Sequence, residues 1–262
     1  MGKIGLSVVI LAKNEKDRIS ECIRSVSGWA CEIIVVDDDS TDETRSIAES
    51  MEAKVFRKAM AIEGMHRNWA YAQAECEWVL SLDADERPTA ELKAEIKAVL
   101  SANPPENAFT IPRRNFIGDY WIKGGGLYPA PQLKLFRKGK FRWEDVEVHP
   151  RAFLEGACGH LKNDLIHYTY RNWGDFLTKL NKQTTLEARK WYKLSADDPK
   201  KARYKMNIPH ALWRTIDRFI RTFVFKKGYR DGFTGFMIAY FSSLYQIISF
   251  AKYRELEKND RN

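Results

Sequence analysis

The first hundred residues alternate short apolar runs with amphipathic stretches. Leu6–Ala12, Glu32–Val36, Lys54–Phe56 and Trp78–Leu82 are rich in aliphatic and β-branched residues, as expected of strands covered on both faces of a parallel sheet. Ile19, Cys22, Ile23 and Val26 recur at 3–4 spacing and predict a helix over Arg18–Val26. A second helix is expected to run through Ala48, capped by Ser40 or Thr41, with Glu43 near its positive end. A third is predicted over Met65–Ala74. A fourth, Ala90–Leu100, is capped by Thr89 and has Leu92, Ile96, Val99 and Leu100 on one side. Strand and helix alternating through short links predict an α/β fold, a mostly parallel sheet with right-handed crossovers.

Beyond residue 100 the pattern changes. Gln132–Phe136 and Lys140–Trp143 read as strands joined at Lys138-Gly139. Gly124-Gly125-Gly126 is a flexible turn, either a plain surface loop or one that accommodates a ligand. Ile208–Lys227 sets Leu212, Ile216, Phe219, Ile220 and Phe223 on one face and Arg214, Arg218, Arg221 and Lys226 on another. That is the pattern of a basic amphipathic helix at a membrane interface. Phe233–Ala251 then runs without a charge, long enough to span a bilayer. Gly235, Ala239, Ser242, Gln246 and Ser249 give it a small or polar stripe, which favours an interfacial or docked helix over a spanning one.

Charge sharpens this division. The net charge is +8, yet residues 1–100 hold 13 Lys and Arg against 19 Asp and Glu, whereas residues 101–262 hold 30 against 16. A basic half rich in aromatic residues fits an anionic partner such as a membrane surface or a phosphorylated ligand. Cys22, Cys31, Cys76 and Cys158 show no C-x-x-C spacing and read as reduced thiols of a cytosolic protein. Ile4–Ala12 is short for a signal peptide and reads as the first buried strand.

Three of the four predicted strands end in polar, acid-bearing loops: Asn14-Glu15, Asp37-Asp38-Asp39 and Asp83-Ala84-Asp85. Ligands of α/β sheets bind just past the carboxyl ends of the strands. Asp83 and Asp85 are two apart, so both can point to one side of an extended segment. Such a pair suits a hard divalent cation that keeps positions for phosphate oxygens; the competing reading is a solvated acidic turn. No G-x-G-x-x-G or G-x-x-x-x-G-K-[ST] occurs, which argues against a P-loop or an ordinary dinucleotide fold.

Together these residues resemble the family 2 glycosyltransferases of the GT-A (nucleotide-diphospho-sugar transferase) fold. The resemblance is carried by Ser7-Val8-Val9-Ile10 with Asn14-Glu15, by Ile34–Val36 with Asp37-Asp38-Asp39-Ser40-Thr41-Asp42-Glu43-Thr44, and by Arg67-Asn68 ahead of Leu82-Asp83-Ala84-Asp85-Glu86. Asp39 stands where the family usually has Gly. The resemblance implies that Asp38 accepts a hydrogen bond from a uridine-type base in a pocket lined by Asn14 and Glu15. It further implies that Asp83 lies near the ribose and metal, that Asp85 ligates Mg²⁺ or Mn²⁺, and that Arg67 helps neutralise phosphate. Leu135-Phe136-Arg137-Lys138-Gly139 and Val148-His149 resemble the lipopolysaccharide-core type, although Pro150 stands where that type commonly has Glu. Glu144–Glu147 then resembles the region of the catalytic base, Asp145 first and Glu147 second, and His167 is the candidate to complete the metal shell.

The expectation is a metal-dependent inverting hexosyltransferase. Its catalytic domain would occupy residues 1–180, with a nucleotide-sugar half over 1–100 and an acceptor half over 101–180. A helical, membrane-associating region would occupy 181–262. The implied partners are a nucleotide-sugar donor, UDP-linked in this type, a glycolipid acceptor such as the lipopolysaccharide inner core, and the inner leaflet of the cytoplasmic membrane. The implied location is cytoplasmic and peripheral, with no nucleic-acid partner. Alternatives are a polyprenyl-phosphate or polysaccharide glycosyltransferase of the same fold, a sugar nucleotidyltransferase, or a non-catalytic membrane-binding module. The nucleotidyltransferase would want a Gly-rich basic loop that Leu11–Glu15 does not supply. The binding module has no need of three acidic strand ends.

Overall fold

The computed structural model describes residues 4–146, 151–198, 200 and 206–260. The chain forms two compact units, residues 1–114 with 130–167 and residues 115–129 with 168–262. In chain order the early elements are β1 (Ile4–Ala12), α1 (Ile19–Val26), β2 (Ala30–Asp37), α2 (Thr44–Ser50), β3 (Lys54–Arg57), α3 (Glu63–Ala72), β4 (Trp78–Asp83), β5 (Glu86–Pro88) and α4 (Ala90–Ser101). Then come β6 (Ala108–Ile111), β7 (Arg113–Ile117), β8 (Tyr120–Ile122), β9 (Gln132–Arg137), β10 (Phe141–Trp143), β11 (Ala152–Leu154), β12 (Cys158–His160) and β13 (Leu165–Tyr170). The chain ends in helices α5 (Trp173–Asp197), α6 (Ile208–Ile220) and α7 (Gly232–Asn259).

The first unit is built on a seven-stranded sheet in the order β12-β6-β9-β4-β1-β2-β3. The four strands expected from the apolar runs are its parallel centre: β1 lies between β2 and β4, and β3 pairs with β2. Most side chains of β1, β2 and β4 are buried, Leu6, Val8, Ile10, Val35, Leu80 and Leu82 packing under α1 and α4, while those of the edge strand β3 are half-buried or exposed. Val9, Ile34, Val36 and Val79 pack on the other face with Ala70 and Tyr71 of α3. Both faces are therefore covered, which is why these strands read as continuous apolar runs.

β9 and β10 are the two strands expected on either side of Lys138-Gly139; each pairs elsewhere, β9 joining the central sheet antiparallel to β4 and β6 and β10 pairing with β11. The apolar Leu133, Leu135 and Phe136 of β9 are packed into the core, and burial outweighs the short-range turn at Gly139. At α2, neither Ser40 nor Thr41 caps the helix. Asp42 accepts from the backbone N–H of Thr44 at 3.0 Å, while Ser40 and Thr41 are engaged by Asn14. Thr89 caps α4 as expected, its hydroxyl accepting from the Leu92 N–H at 3.1 Å.

In the second unit, β8 pairs antiparallel with Asn115–Ile117. Ile117, Ile122, Phe176 and Ile238 form one core. Ala188, Met206, Ala211, Phe250 and Tyr253 form another. The small stripe of α7 faces inward: Gly235, Ala239 and Ser249 are buried. Gly235 is required there, because a Cβ would meet the Gly228 carbonyl oxygen at 1.9 Å. α7 is the one described helix long and apolar enough to cross a membrane by length and composition.

Candidate active site

Strand register brings the acidic loops together. Ala12 of β1 sits opposite Asp37 of β2, and Leu11 sits opposite Asp83 of β4. The chain leaves the sheet at the same level on all three strands, the Asp38 N–H still reaching the Ala12 carbonyl at 2.9 Å and the Ala84 N–H the Leu11 carbonyl at 3.1 Å. Residues 72 positions apart in sequence thus share one carboxyl edge.

The loops after β1 and β2 are laced to each other. The Asn14 side-chain oxygen accepts from the Thr41 N–H at 2.8 Å, and the Asn14 and Glu15 N–H groups donate to Ser40 Oγ and Thr44 Oγ1. Asp38 is buried; its Oδ2 accepts from Lys13 Nζ at 2.9 Å and its Oδ1 from the Met60 N–H at 2.7 Å. Asp37 is fully buried and held by Arg45 at 2.7 Å. Asp39 takes the left-handed conformation, φ 48°, that Gly would adopt without strain, and its carboxylate pairs with Arg57. Asn14 is left-handed as well, at φ 54°. The two residue types that tolerate αL best among non-glycines occupy these turns.

Asp83 and Asp85 have different surroundings. Asp83 Oδ1 accepts from Arg67 Nη2 at 3.1 Å and Oδ2 from Lys134 Nζ at 3.0 Å. Lys134 also donates to Glu86 Oε2 at 2.6 Å, and the same oxygen accepts the Asp83 N–H at 2.9 Å. Arg113 lies 3.6 Å from the other Glu86 oxygen. Glu86 and Lys134 are buried, so their charges are balanced within the protein, while Glu86 Oε1 has the charge of Arg113 nearby but no hydrogen bond. Burial disfavours ionisation of Asp83, but the charges of Lys134 and Arg67 prevail and hold its carboxyl well below the usual range. Burial likewise opposes the charge on Lys134, and Asp83 and Glu86 raise it nonetheless.

Asp85 has looser company. His167 Nε2 is 3.5 Å and Arg18 3.7 Å from its Oδ2. Burial pushes its carboxyl up; the hydrogen bond and charge of His167 and the charge of Arg18 outweigh that and leave it lowered. The antiparallel pairing of β5 with β13 explains how a residue 82 positions away arrives here: His167 lies opposite Glu86. Arg87 fixes the turn, donating to the carbonyls of Ala84 at 2.7 Å, Glu86 at 2.8 Å and Arg18 at 2.6 Å.

No group of three or more His, Cys, Asp or Glu side chains among the described residues is placed to hold a metal ion. Asp85 and His167 supply two donors, and both oxygens of Asp83 already bind cations. That donor set fits Mg²⁺ or Mn²⁺, which are commonly held by one or two protein ligands together with substrate phosphates and water.

α3 connects this centre to the region of the expected base. Arg67 reaches Asp83, while the next residue, Asn68, donates to the Trp143 carbonyl at 2.9 Å and to Asp145 Oδ1 at 3.2 Å and accepts the Trp143 N–H at 2.8 Å. Gly64, in the first turn of α3, is needed for this approach: a Cβ would meet the Glu144 carbonyl oxygen at 2.0 Å. Asp145 is exposed. Glu144 is tied to Arg151 at 2.6 Å, which lowers its carboxyl. Glu147, His149 and Pro150 lie outside the described residues.

Sequence reasoning did not single out Lys134, Arg18 or Arg113. Lys134 carried a signal, a cation between the apolar residues Leu133 and Leu135 of β9. His66, on α3 and also not singled out, is buried with Nδ1 lacking a hydrogen-bond partner; burial lowers its pKa.

Comparison with known proteins agrees with this geometry. The family model described as glycosyl transferase family 2 matches residues 7–155. The chain is 27% identical to the lipopolysaccharide core biosynthesis glycosyltransferase LpsC of Rhizobium meliloti, covering 95% of this chain and 92% of that one. It is 26% identical to an uncharacterized glycosyltransferase of Rickettsia typhi, covering 98% and 89%. Among solved structures it is similar to glucosyl-3-phosphoglycerate synthase from Mycobacterium tuberculosis in complex with Mn²⁺, UDP and phosphoglyceric acid, 24% identical over 42% of this chain and 43% of that chain, with a TM-score of 0.37.

Proposed function

The chain belongs to glycosyl transferase family 2, and from that premise we propose that it transfers a sugar, with inversion, from a UDP-sugar to a membrane-held glycolipid of the lipopolysaccharide-core kind. The observation that carries the reading is the Asp83-Ala84-Asp85 turn at the carboxyl edge of the parallel sheet, joined to His167 through β5 and β13 and to Arg67 and Lys134.

Asp38, with Asn14 and Glu15 in the neighbouring loop, is the group for the uracil end of the donor. Asp83, oriented by Lys134 and Arg67, faces the ribose. Asp85 and His167 would hold Mg²⁺ or Mn²⁺, which when bound supplies Lewis-acid neutralisation of the departing diphosphate. Arg67 adds a fixed positive charge beside it. The acceptor hydroxyl forms its bond to the anomeric carbon as the bond to the diphosphate oxygen breaks, so the configuration inverts. The hydroxyl proton passes to Asp145, whose carboxylate Asn68 orients.

Similarity to LpsC over nearly the whole chain supports the acceptor class. Support for a peripheral place on the cytoplasmic membrane comes from α6, where Ile208, Leu212, Trp213, Ile216 and Ile220 are all exposed. Apolar side chains gathered on one helix fit the headgroup boundary of a bilayer.

Incubation with a panel of UDP-sugars, with and without Mn²⁺, while UDP release is followed, tests the reading. Mn²⁺-dependent release from one donor, stimulated by lipopolysaccharide-core acceptor, is the expected result. Release from none of the donors, with or without acceptor, would count against it.

A further inference from the structure

The second unit contains a cavity of about 420 Å³. Its lining includes Arg214, Arg218, Arg221 and Lys226, with Asp217 as the one carboxylate. Arg214, Asp217, Arg218 and Arg221 stand at i, i+3, i+4 and i+7 and so share one stripe running from α6 into the turn that follows it. After Ile220 the helix widens into a π-type turn over Arg221–Phe225, in which the Lys226 N–H donates to the Arg221 carbonyl at 2.8 Å. A continuing α-helix would have set Phe225 above Arg221. The extra residue brings Lys226 there instead, and Phe225 is 74% exposed. π-type turns recur where a side chain is re-aimed for function.

The wall opposite α6 is fixed. Buried Asp231 accepts the N–H of Lys123 at 3.0 Å and of Gly124 at 2.6 Å. The Gly125 N–H donates to the Lys226 carbonyl at 2.8 Å. The Lys226 side chain lies across Gly126, where a Cβ would come 2.7 Å from its Cδ and 3.1 Å from its Nζ. Gly125 and Gly126 both have positive φ, 65° and 76°. Any side chain at 126 would force the end of Lys226 to shift.

The charge is left uncompensated. Asp217 is taken by Arg221 at 2.7 Å. Arg214, Arg218 and Lys226 have no carboxylate partner among the described residues. Cations that converge on one concavity repel each other, and an anion relieves that cost. Two arginine forks and an ammonium match the several oxygens and double charge of a phosphate monoester better than the single charge of a carboxylate. The cavity volume lies within the range of small-ligand sites.

We propose that this cavity is a binding site for a phosphate monoester, carried by a sugar or by a lipid headgroup. The site needs neither nucleotide nor metal, so its test is separate from that of the transfer reaction. Calorimetric titration in phosphate-free buffer would use glucose 6-phosphate and dihexanoyl phosphatidate as probes. Glucose and dihexanoyl phosphatidylcholine would serve as controls lacking the monoester.

We expect saturable one-to-one binding of at least one monoester, weakened tenfold or more in Arg218→Gln and in Lys226→Gln. The monoester that binds identifies the source; binding of both means that the phosphate alone is recognised. Arg254→Gln removes one charge from the same unit, at a residue paired with Glu257 and outside the cavity lining, and should bind like wild type. Gly126→Ala, read beside the charge variants, tests the shape of the cavity. Thermal melts check that each variant is folded. Failure of both monoesters to bind the folded wild type overturns the proposal. So does equal weakening by Arg254→Gln and Arg218→Gln, which would mean diffuse attraction instead of a site.

Discussion

The two units treat charge in opposite ways. At the carboxyl edge of the parallel sheet every strand-end aspartate has a cation: Asp37 has Arg45, Asp38 has Lys13, Asp83 has Arg67 and Lys134, and Asp85 has Arg18. In the cavity of the second unit three cations have no carboxylate among the described residues. The first arrangement is organised before any ligand arrives, and its electrostatics need little rearrangement during reaction. The second is complete only with an anion. Variants of the first unit should therefore change turnover or folding, and variants of the second should change what the protein binds.

The sharpest test of the first half of this contrast is the base. Asp145→Asn should lower turnover by about 10²–10⁴-fold while UDP binding, followed by calorimetry, is retained. Glu147→Gln should have a much smaller effect. Near wild-type turnover in both would place the base elsewhere.

Next in size is a change of stability. Lys134→Met leaves buried Glu86 and half-buried Asp83 short of a partner, at a cost of roughly 3–5 kcal/mol, measurable by urea unfolding at pH 7. The pH dependence has a definite sign. The Asp83 carboxyl is held below its ordinary value in the folded protein, so its contribution is full above the unfolded pKa near 3.9 and is lost as pH falls through the lower folded value. Removing Lys134 removes much of that depression. The difference between wild type and variant should shrink as the pH drops below about 4, and a constant difference would mean that Lys134 acts through packing.

Asp85→Asn separates the two acidic residues of the turn. We expect a loss of transfer of about a hundredfold or more at low Mn²⁺, in keeping with the several kcal/mol that a Lewis acid supplies, with little change in melting temperature. Full activity at low Mn²⁺, or a large drop in melting temperature, would give Asp85 the structural part played by Asp83.

These residues were not equally visible in the sequence. Asp83, Asp85 and Asp38 were legible because each ends an apolar run, and a run buried on both faces announces its own end. Thr89 was legible because a cap acts over three residues. Lys134, Arg113 and the route of His167 to Asp85 depend on pairings between strands far apart in the chain, β9 with β4 and β13 with β5. Nothing local encodes those registers. The same holds for β10, whose partner β11 is separated from it by a loop. The two faces of α6 were legible as a pattern, but what each face meets was not. The basic stripe lines a cavity, with Arg218, Arg221 and Lys226 exposed, and Leu212, Ile216 and Ile220 of the apolar stripe are exposed as well.

The exposed apolar face of α6 yields the smallest effect and the finest test of the contrast. If α6 meets a bilayer, its exposed apolar residues carry the adhesion, and the arginines add only the long-range attraction of anionic lipid. Leu212 and Ile216 are 47% and 61% exposed, so most of their surface is available for transfer to the bilayer. Full burial of such a side chain is worth about 1.5–3 kcal/mol, and a helix lying at the headgroup boundary realises part of that. Leu212→Ser with Ile216→Ser should weaken vesicle flotation at both low and high salt. Arg214→Gln should cost about 1 kcal/mol at most on anionic vesicles, and the loss should fade as salt shortens the Debye length. Donor hydrolysis should be unchanged in both, since the donor groups belong to the first unit. Salt-insensitive loss in Arg214→Gln, with wild-type flotation in the serine variant, would return the basic stripe to the membrane and leave the apolar face to another partner.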